Sequence, residues 1–345
     1  IGLALGALDY YGPNAPKVHI VEGEGGMTPG RVSESLAAAG TASLGNVLLH
    51  VDWNQASIDS NHVCREGGVP GDYVQWTPAE LAYFHDWNVV YVPDGRDWQQ
   101  IVAAQRRALQ MDNGQPTAVV YRTVKGWRYG IEGKASHGAG HKLCDDGFFE
   151  TLKPLLAVAD GELPRCEAAH QRCRGGAEAP PLEACFWQAL GVVRRALEGN
   201  RALAEMIVAG ARASRERLRE RRRRPRRNGP RIEALYKTVA KSAGKTPKEL
   251  RLTPGAGTTL RAEFGRVLNY CNRAGNGALF AAAADLLGST SLATAGQGFA
   301  PGYYNGVTNP GSRLLATGGI CEDAMTAILS GLASFGHHSG AGSSY

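Results

Sequence analysis

The sequence predicts an α/β protein with parallel sheets flanked by helices, built as two such segments joined by a helical connector. Two patterns carry that expectation. Short β-branched runs alternate with helical spacings over roughly residues 1–155, and the same alternation resumes near Thr258. The stretch from Leu163 to Pro254 between them is rich in Arg, Ala, Glu and Pro and has helical periodicity alone. At 345 residues, with 43% hydrophobic and 20% charged, the chain can bury two sizeable cores, and no apolar run approaches the length of a membrane span. The expected boundaries are 1–160, 161–254 and 255–345.

In the first segment the strand candidates are Val18 to Val21, Val47 to Val51, Asn88 to Val92 and Ala118 to Arg122. The helix candidates are Val32 to Ala39, Pro78 to His85 and Trp98 to Met111. Thr77-Pro78 supplies a capping hydroxyl and a proline at the first helical position, and Asp112-Asn113-Gly114 stops the helix before the next strand. In the connector, Phe186 to Ala209 and Arg231 to Ala243 have helical spacing. In the last segment TLRAEFGRVLNYCNRAG reads as an amphipathic helix, GALFAAAADL as a buried strand and CEDAMTAILSGLASFG as a second helix. No repeat of fixed period is evident.

Seven cysteines without a CxxC pair argue against a disulfide framework and fit a reduced, cytoplasmic setting. Cys166, His170 and Cys173 lack the second ligand pair of a metal clip, so chance spacing is the preferred reading. The net charge of +6 is local. Arg212 to Arg227 holds ten arginines, broken by Pro225. Without interleaved aromatic residues or a nucleic-acid fold motif, this run reads as a solvated helix end, and nucleic-acid binding is disfavoured.

The chemistry concentrates at strand ends. Val18-His19-Ile20-Val21 leads into Gly23-Glu24-Gly25, where two glycines permit a tight turn and close ligand approach. Thirty residues later, the strand Asn46 to Val51 delivers Asp52, Trp53 and Asn54 to the same edge if the unit is a right-handed βαβ crossover. Mg²⁺ takes near-octahedral oxygen from carboxylates, amide or carbonyl groups, water and phosphates. Glu24, the Asn54 side chain and the backbone carbonyl of Ala56 would meet that demand.

This layout resembles the thiamine diphosphate motif of the transketolase family, Gly-Asp-Gly followed about thirty residues later by Asn. Gly30, Glu34, Gly40, Gly45, Asp52, Asn54, Ile58 and Asp59 fall on the family pattern, whereas Glu24 replaces the usual Asp, Pro29 stands where the family has Glu, and Trp53 replaces the usual acid beside Asn54. The resemblance implies a thiamine diphosphate-binding fold, thiamine diphosphate and Mg²⁺ as cofactors, and a homodimer with its active site at the interface, where Glu34 matches an interface glutamate. It also implies sugar phosphate substrates, while the lack of a membrane-length apolar run disfavours a membrane partner. RLLATGGICEDAMTAILSGLA resembles the segment whose Glu activates the cofactor pyrimidine, which assigns that role to Glu322. TVKGWRYGIEGKASHGAGHKL resembles the loop that gives a histidine to diphosphate and substrate; His137 fits best, and the bland loop reading is preferred for Lys125 and His141. Arg261 in TLRAEFG resembles the arginine that holds the sugar phosphate, although Phe264 occupies the usual Ser position. Ser289 in ADLLGST is a candidate phosphate contact.

The opening IGLALGALDYY has no charged leader and resembles a family helix containing Gly-Leu-Ala, and the chain stops within GHHSGAGSSY, so it is expected to be a fragment lacking both ends. The implied activity is transfer of a two-carbon ketol unit from a ketose phosphate to an aldose phosphate. Two alternatives remain open: a decarboxylating 2-oxo acid (pyruvate) dehydrogenase component, and a noncatalytic cofactor-fold protein.

Overall fold

A computed structural model describes residues 1–129, 132–133, 146–159, 179–241 and 243–344. They fall into two compact units, one comprising Ile1–Asn54, His62–Thr123 and Arg223–Tyr345, the other Gln55–Asn61 and Val124–Arg222.

The first unit opens with α1 (Gly2–Tyr11), β1 (Val18–Gly23), α2 (Gly30–Thr41), β2 (Val47–Trp53), α3 (Pro78–Phe84), β3 (Asn88–Val92), α4 (Trp98–Leu109) and β4 (Thr117–Arg122). The four strands form a parallel sheet in the order β1-β2-β4-β3. Helix starts are encoded locally. Thr77 and Glu80 form a reciprocal capping box ahead of α3, and the Asp97 carboxylate accepts from the backbone N–H groups of Gln99 and Gln100 at the head of α4. Strand β2 is apolar along one face, Val47, Leu49, Val51 and Trp53, while the other face runs from the buried Leu48 to the partly buried His50 and Asp52. Val47, Leu49, Val51 and Trp53 enter the main core, while Leu48 joins Val92, Val119, Ala104 and Ala108 on the α4 side. The register sets Gly23 opposite Asp52 and Asp52 opposite Tyr121, so the ends of β1, β2 and β4 converge on one edge.

The second unit contains α5 (Asp146–Ala159), α6 (Ala179–Gly199) and α7 (Arg201–Arg221). Helices α5 and α6 share a small core of Phe149, Leu152, Cys185, Ala189 and Val192. The single helix expected over Phe186 to Ala209 is broken at Gly199-Asn200, because the Asn200 side chain caps a new helix by accepting from the Leu203 N–H at 3.2 Å. Helix α7 buries none of its residues, and Arg222 ends it in the left-handed region. Cys185 is disulfide-bonded, whereas the cysteine pattern argued against a disulfide framework; Cys271 and Cys321 are free thiols.

Returning to the first unit, α8 (Ile232–Lys241), α9 (Leu260–Ala274), β5 (Leu279–Ala283), β6 (Leu314–Leu315), α10 (Glu322–Ser334) and β7 (Ser339–Ser343) complete the chain. The second sheet is parallel, in the order β6-β5-β7. Strand β5 is buried at every position, as its apolar run requires. Helix α10 contributes Ala324, Met325, Ile328 and Leu332 to the same core as the first sheet. Among the described residues no helix is long and apolar enough to cross a membrane.

Candidate functional site

Glu24 leaves β1 directly into a 3-10 turn, Gly25–Met27, and is 1% exposed. Its Oε2 accepts the backbone N–H of Asn54 at 3.1 Å, and its own N–H reaches the Asp52 carbonyl at 3.4 Å. The two residues that the spacing singled out therefore meet. The Asn54 side chain donates through Nδ2 to Asp52 Oδ2 at 2.8 Å, and Thr123 donates its hydroxyl to Asp52 Oδ1. Thr123 is in place because its N–H bonds the Trp53 carbonyl at 3.0 Å, extending the β2–β4 register by one residue.

Trp53, by strand alternation, turns into the main core and away from Asp52. Its substitution for an acid thus leaves the polar edge intact. Arg122 lies over the Trp53 ring, bonds the Trp53 and Thr123 carbonyls, and grips Glu66 bidentately at 2.6 and 2.9 Å. The Cys64 thiol, buried nearby, is pushed up to about 12, by burial first and then by Glu24 and Glu66.

The donor set suits a hard cation. A carboxylate this buried is costly in isolation, and a divalent ion would offset that cost. Space is also present: a Cβ built at Gly25 would meet nothing within 4 Å. Among the described residues no group of three or more His, Cys, Asp or Glu side chains is placed to hold a metal. A site here draws on amide and carbonyl oxygen as well, which Mg²⁺ accepts. Gly23 and Gly25 flank Glu24 as expected. Ala56 falls in the segment Gln55–Asn61 of the other unit.

Glu322 opens α10, is exposed, and accepts from the Ser344 hydroxyl at 2.7 Å. That hydrogen bond, followed by one to its own backbone N–H, holds its carboxyl below the usual glutamate value. The same helix end is bound by Glu34, whose Oε2 accepts the Ala324 N–H at 3.1 Å, so this carboxylate satisfies an otherwise orphan donor. The Cys321 thiol between them is raised, by burial first and then by Glu34 and Glu322.

Arg261 lies in the first turn of α9 and Ser289 in the turn after β5, both exposed. Helix α9 packs closely on the segment following Ser289: a Cβ at Gly265 would lie 2.5 Å from the Ser291 carbonyl oxygen. Arg261 lies four residues earlier on the same face of that helix. Asp285, just beyond β5, has φ 59, a left-handed conformation uncommon for a non-glycine residue. Lys125 lies in a turn of the second unit, and His137 and His141 lie outside the described residues. Sequence reading did not single out Thr123, whose only signal is its position one residue past a strand end.

Residues 11–153 match the family described as transketolase, thiamine diphosphate binding domain. This places the segment in the class of thiamine diphosphate-binding α/β proteins. Within that class it is transketolase-like. Transketolase 1 and Transketolase 2 of Pasteurella multocida (strain Pm70) are each 30% identical over 125 residues, covering 35% of this chain and 17% of theirs. A mutant transketolase from Pichia stipitis superposes with a TM-score of 0.60 at 21% identity, over 99% of this chain and 46% of that one. Transketolase from Campylobacter jejuni subsp. jejuni NCTC 11168 gives 0.57 at 18%, over 99% and 45%. Those structures establish the fold, and the chain spans less than half their length.

Proposed function

We propose that this chain is part of a thiamine diphosphate- and Mg²⁺-dependent transferase that moves a two-carbon ketol unit from a ketose phosphate to an aldose phosphate. When bound, thiamine diphosphate supplies the electron sink for breaking a carbon–carbon bond. Glu24, Asn54 and the Ala56 carbonyl hold the Mg²⁺, and Gly23 and Gly25 let the diphosphate approach the backbone. Glu322 holds a proton at the pyrimidine ring nitrogen and so sets the cofactor's tautomer. His137 donates to the diphosphate or moves a proton at the substrate, and Arg261 and Ser289 hold the sugar phosphate. The enzyme is a homodimer in which each copy's Glu322 serves its partner's diphosphate site, and it works in the cytoplasm. Residues 1–160 form the diphosphate domain, 255–345 the pyrimidine domain, and 161–254 the connector.

The observation that carries this reading is the Asn54 N–H on the buried Glu24 carboxylate, closing a thirty-residue loop at the strand ends. A calorimetric titration of the chain with thiamine diphosphate, with and without Mg²⁺, tests it. Metal-dependent heat is the expected result. Its absence would favour a noncatalytic cofactor-fold protein.

A further inference from the structure

Asp52 belongs to no ligand set proposed above, yet it is hydrogen-bonded to the one ligand whose orientation is ambiguous. A side-chain amide has a donor end and an acceptor end, and a hard cation takes only the oxygen. Asp52 Oδ2 receives Asn54 Nδ2 at 2.8 Å, and an ionised carboxylate can only accept. The reverse orientation would set the amide oxygen against a carboxylate oxygen. Asp52 cannot turn to relieve that conflict, because its Oδ1 is held by the Thr123 hydroxyl and its carbonyl by the Glu24 N–H. The Asn54 backbone is in turn fixed on Glu24 Oε2, so only the amide orientation remains to be set.

We infer that Asp52, locked by Thr123, is a positioning residue that turns the Asn54 amide oxygen toward the cation. The inference rests on the metal-site reading of Glu24 and Asn54. It assigns Asp52 no contact with metal or cofactor. Its function is to exclude the wrong amide orientation, in the way that partners of metal ligands commonly orient them.

The test uses Mn²⁺ as the probe, with free Mn²⁺ followed by electron paramagnetic resonance, on the full chain in the presence of thiamine diphosphate. Asp52→Ala should weaken Mn²⁺ binding by roughly 10–100-fold. Asp52→Asn, whose amide oxygen still accepts from Asn54, should retain most of the affinity. The decisive pair addresses polarity. Asn54→Asp should bind poorly while Asp52 faces it, because two carboxylates then meet at hydrogen-bond distance. Adding Asp52→Asn to that variant should restore binding, since the amide at position 52 now donates to the new carboxylate. A residue with a merely structural role gives no such rescue, and the pair decides even if Asp52→Ala fails to fold. Wild-type affinity in Asp52→Ala, or in Asn54→Asp with Asp52 present, would overturn the positioning role alone. No Mn²⁺ binding by the wild type would overturn the metal-site reading and this inference with it.

Discussion

At the residue scale the proposed site draws on two carboxylates with opposite surroundings. Glu24 is buried, with one oxygen anchored on the Asn54 N–H, whereas Glu322 is exposed at a helix start and bonded to Ser344. Glu24→Gln keeps the shape but removes the charge that faces a cation. It should weaken Mg²⁺-dependent thiamine diphosphate binding at least tenfold in the calorimetric titration, while Glu24→Asp, the shorter acid, should retain binding. Unchanged heat in Glu24→Gln would remove this residue from the metal set. For Glu322 the expectation is reversed. In the active enzyme Glu322→Gln should abolish turnover and leave Mg²⁺-dependent cofactor binding intact, and near-normal turnover would refute its assignment.

At the element scale, helix ends and strand registers decide what reaches the site. The capping box of Thr77 and Glu80 starts α3 just ahead of β3, and Thr77→Ala should cost about 1 kcal/mol of stability in denaturant titration. A loss indistinguishable from zero would mean that packing of Leu81 and Ala82 fixes the helix without its cap. This cap was legible in the sequence because every group in it lies within four residues. The strands of the first sheet were legible for a similar reason, each being a short apolar run bounded by turn residues. Glu24 and Asn54 were legible only through their spacing and neighbours. The Asp52–Thr123 contact was not, since it depends on β2 and β4 pairing in one register across 71 residues. The break at Gly199-Asn200 was missed because helical spacing continues on both sides, with the capping oxygen of Asn200 as its only local mark. Strand β7 was missed because Ser-Gly-Ala-Gly-Ser has weak strand preference; pairing with β5 overrides it.

At the scale of the whole molecule, one buried charge cluster ties the beginning of the first unit to its end. Asp9 on α1 has a side chain 1% exposed, bonded to Arg313 at 2.9 Å, to Arg226 at 2.9 Å and to His338 at 2.9 Å. Arg313 precedes β6 and His338 precedes β7, so the cluster fixes the second sheet on α1. Asp9→Ala would leave the buried Arg313 without its counter-ion, at a cost of about 3–5 kcal/mol in denaturant titration. A loss below about 1 kcal/mol would show that the cluster is dispensable. The same group predicts a pH dependence. Burial alone would raise the Asp9 pKa, but the His338 hydrogen bond and the charges of Arg313 and Arg226 outweigh it and hold the carboxyl below its ordinary value. A depressed folded-state value means that the stabilisation is complete above the unfolded value of about 3.9 and is lost as pH falls through the folded one. Acid unfolding followed below about pH 4 should therefore be steeper in the wild type than in Asp9→Asn. Parallel curves would contradict the assignment. No sequence signal marked Asp9, because its partners lie more than two hundred residues away.

The central claim is that a divalent cation is held between position 24 and position 54 against a diphosphate. Anomalous scattering from a crystal grown with Mn²⁺ and thiamine diphosphate measures this directly. The account predicts a peak within coordination distance of a Glu24 carboxylate oxygen and of Asn54 Oδ1, beside the diphosphate. Cofactor bound with the peak elsewhere, beyond coordination distance of Glu24 and Asn54, would contradict it.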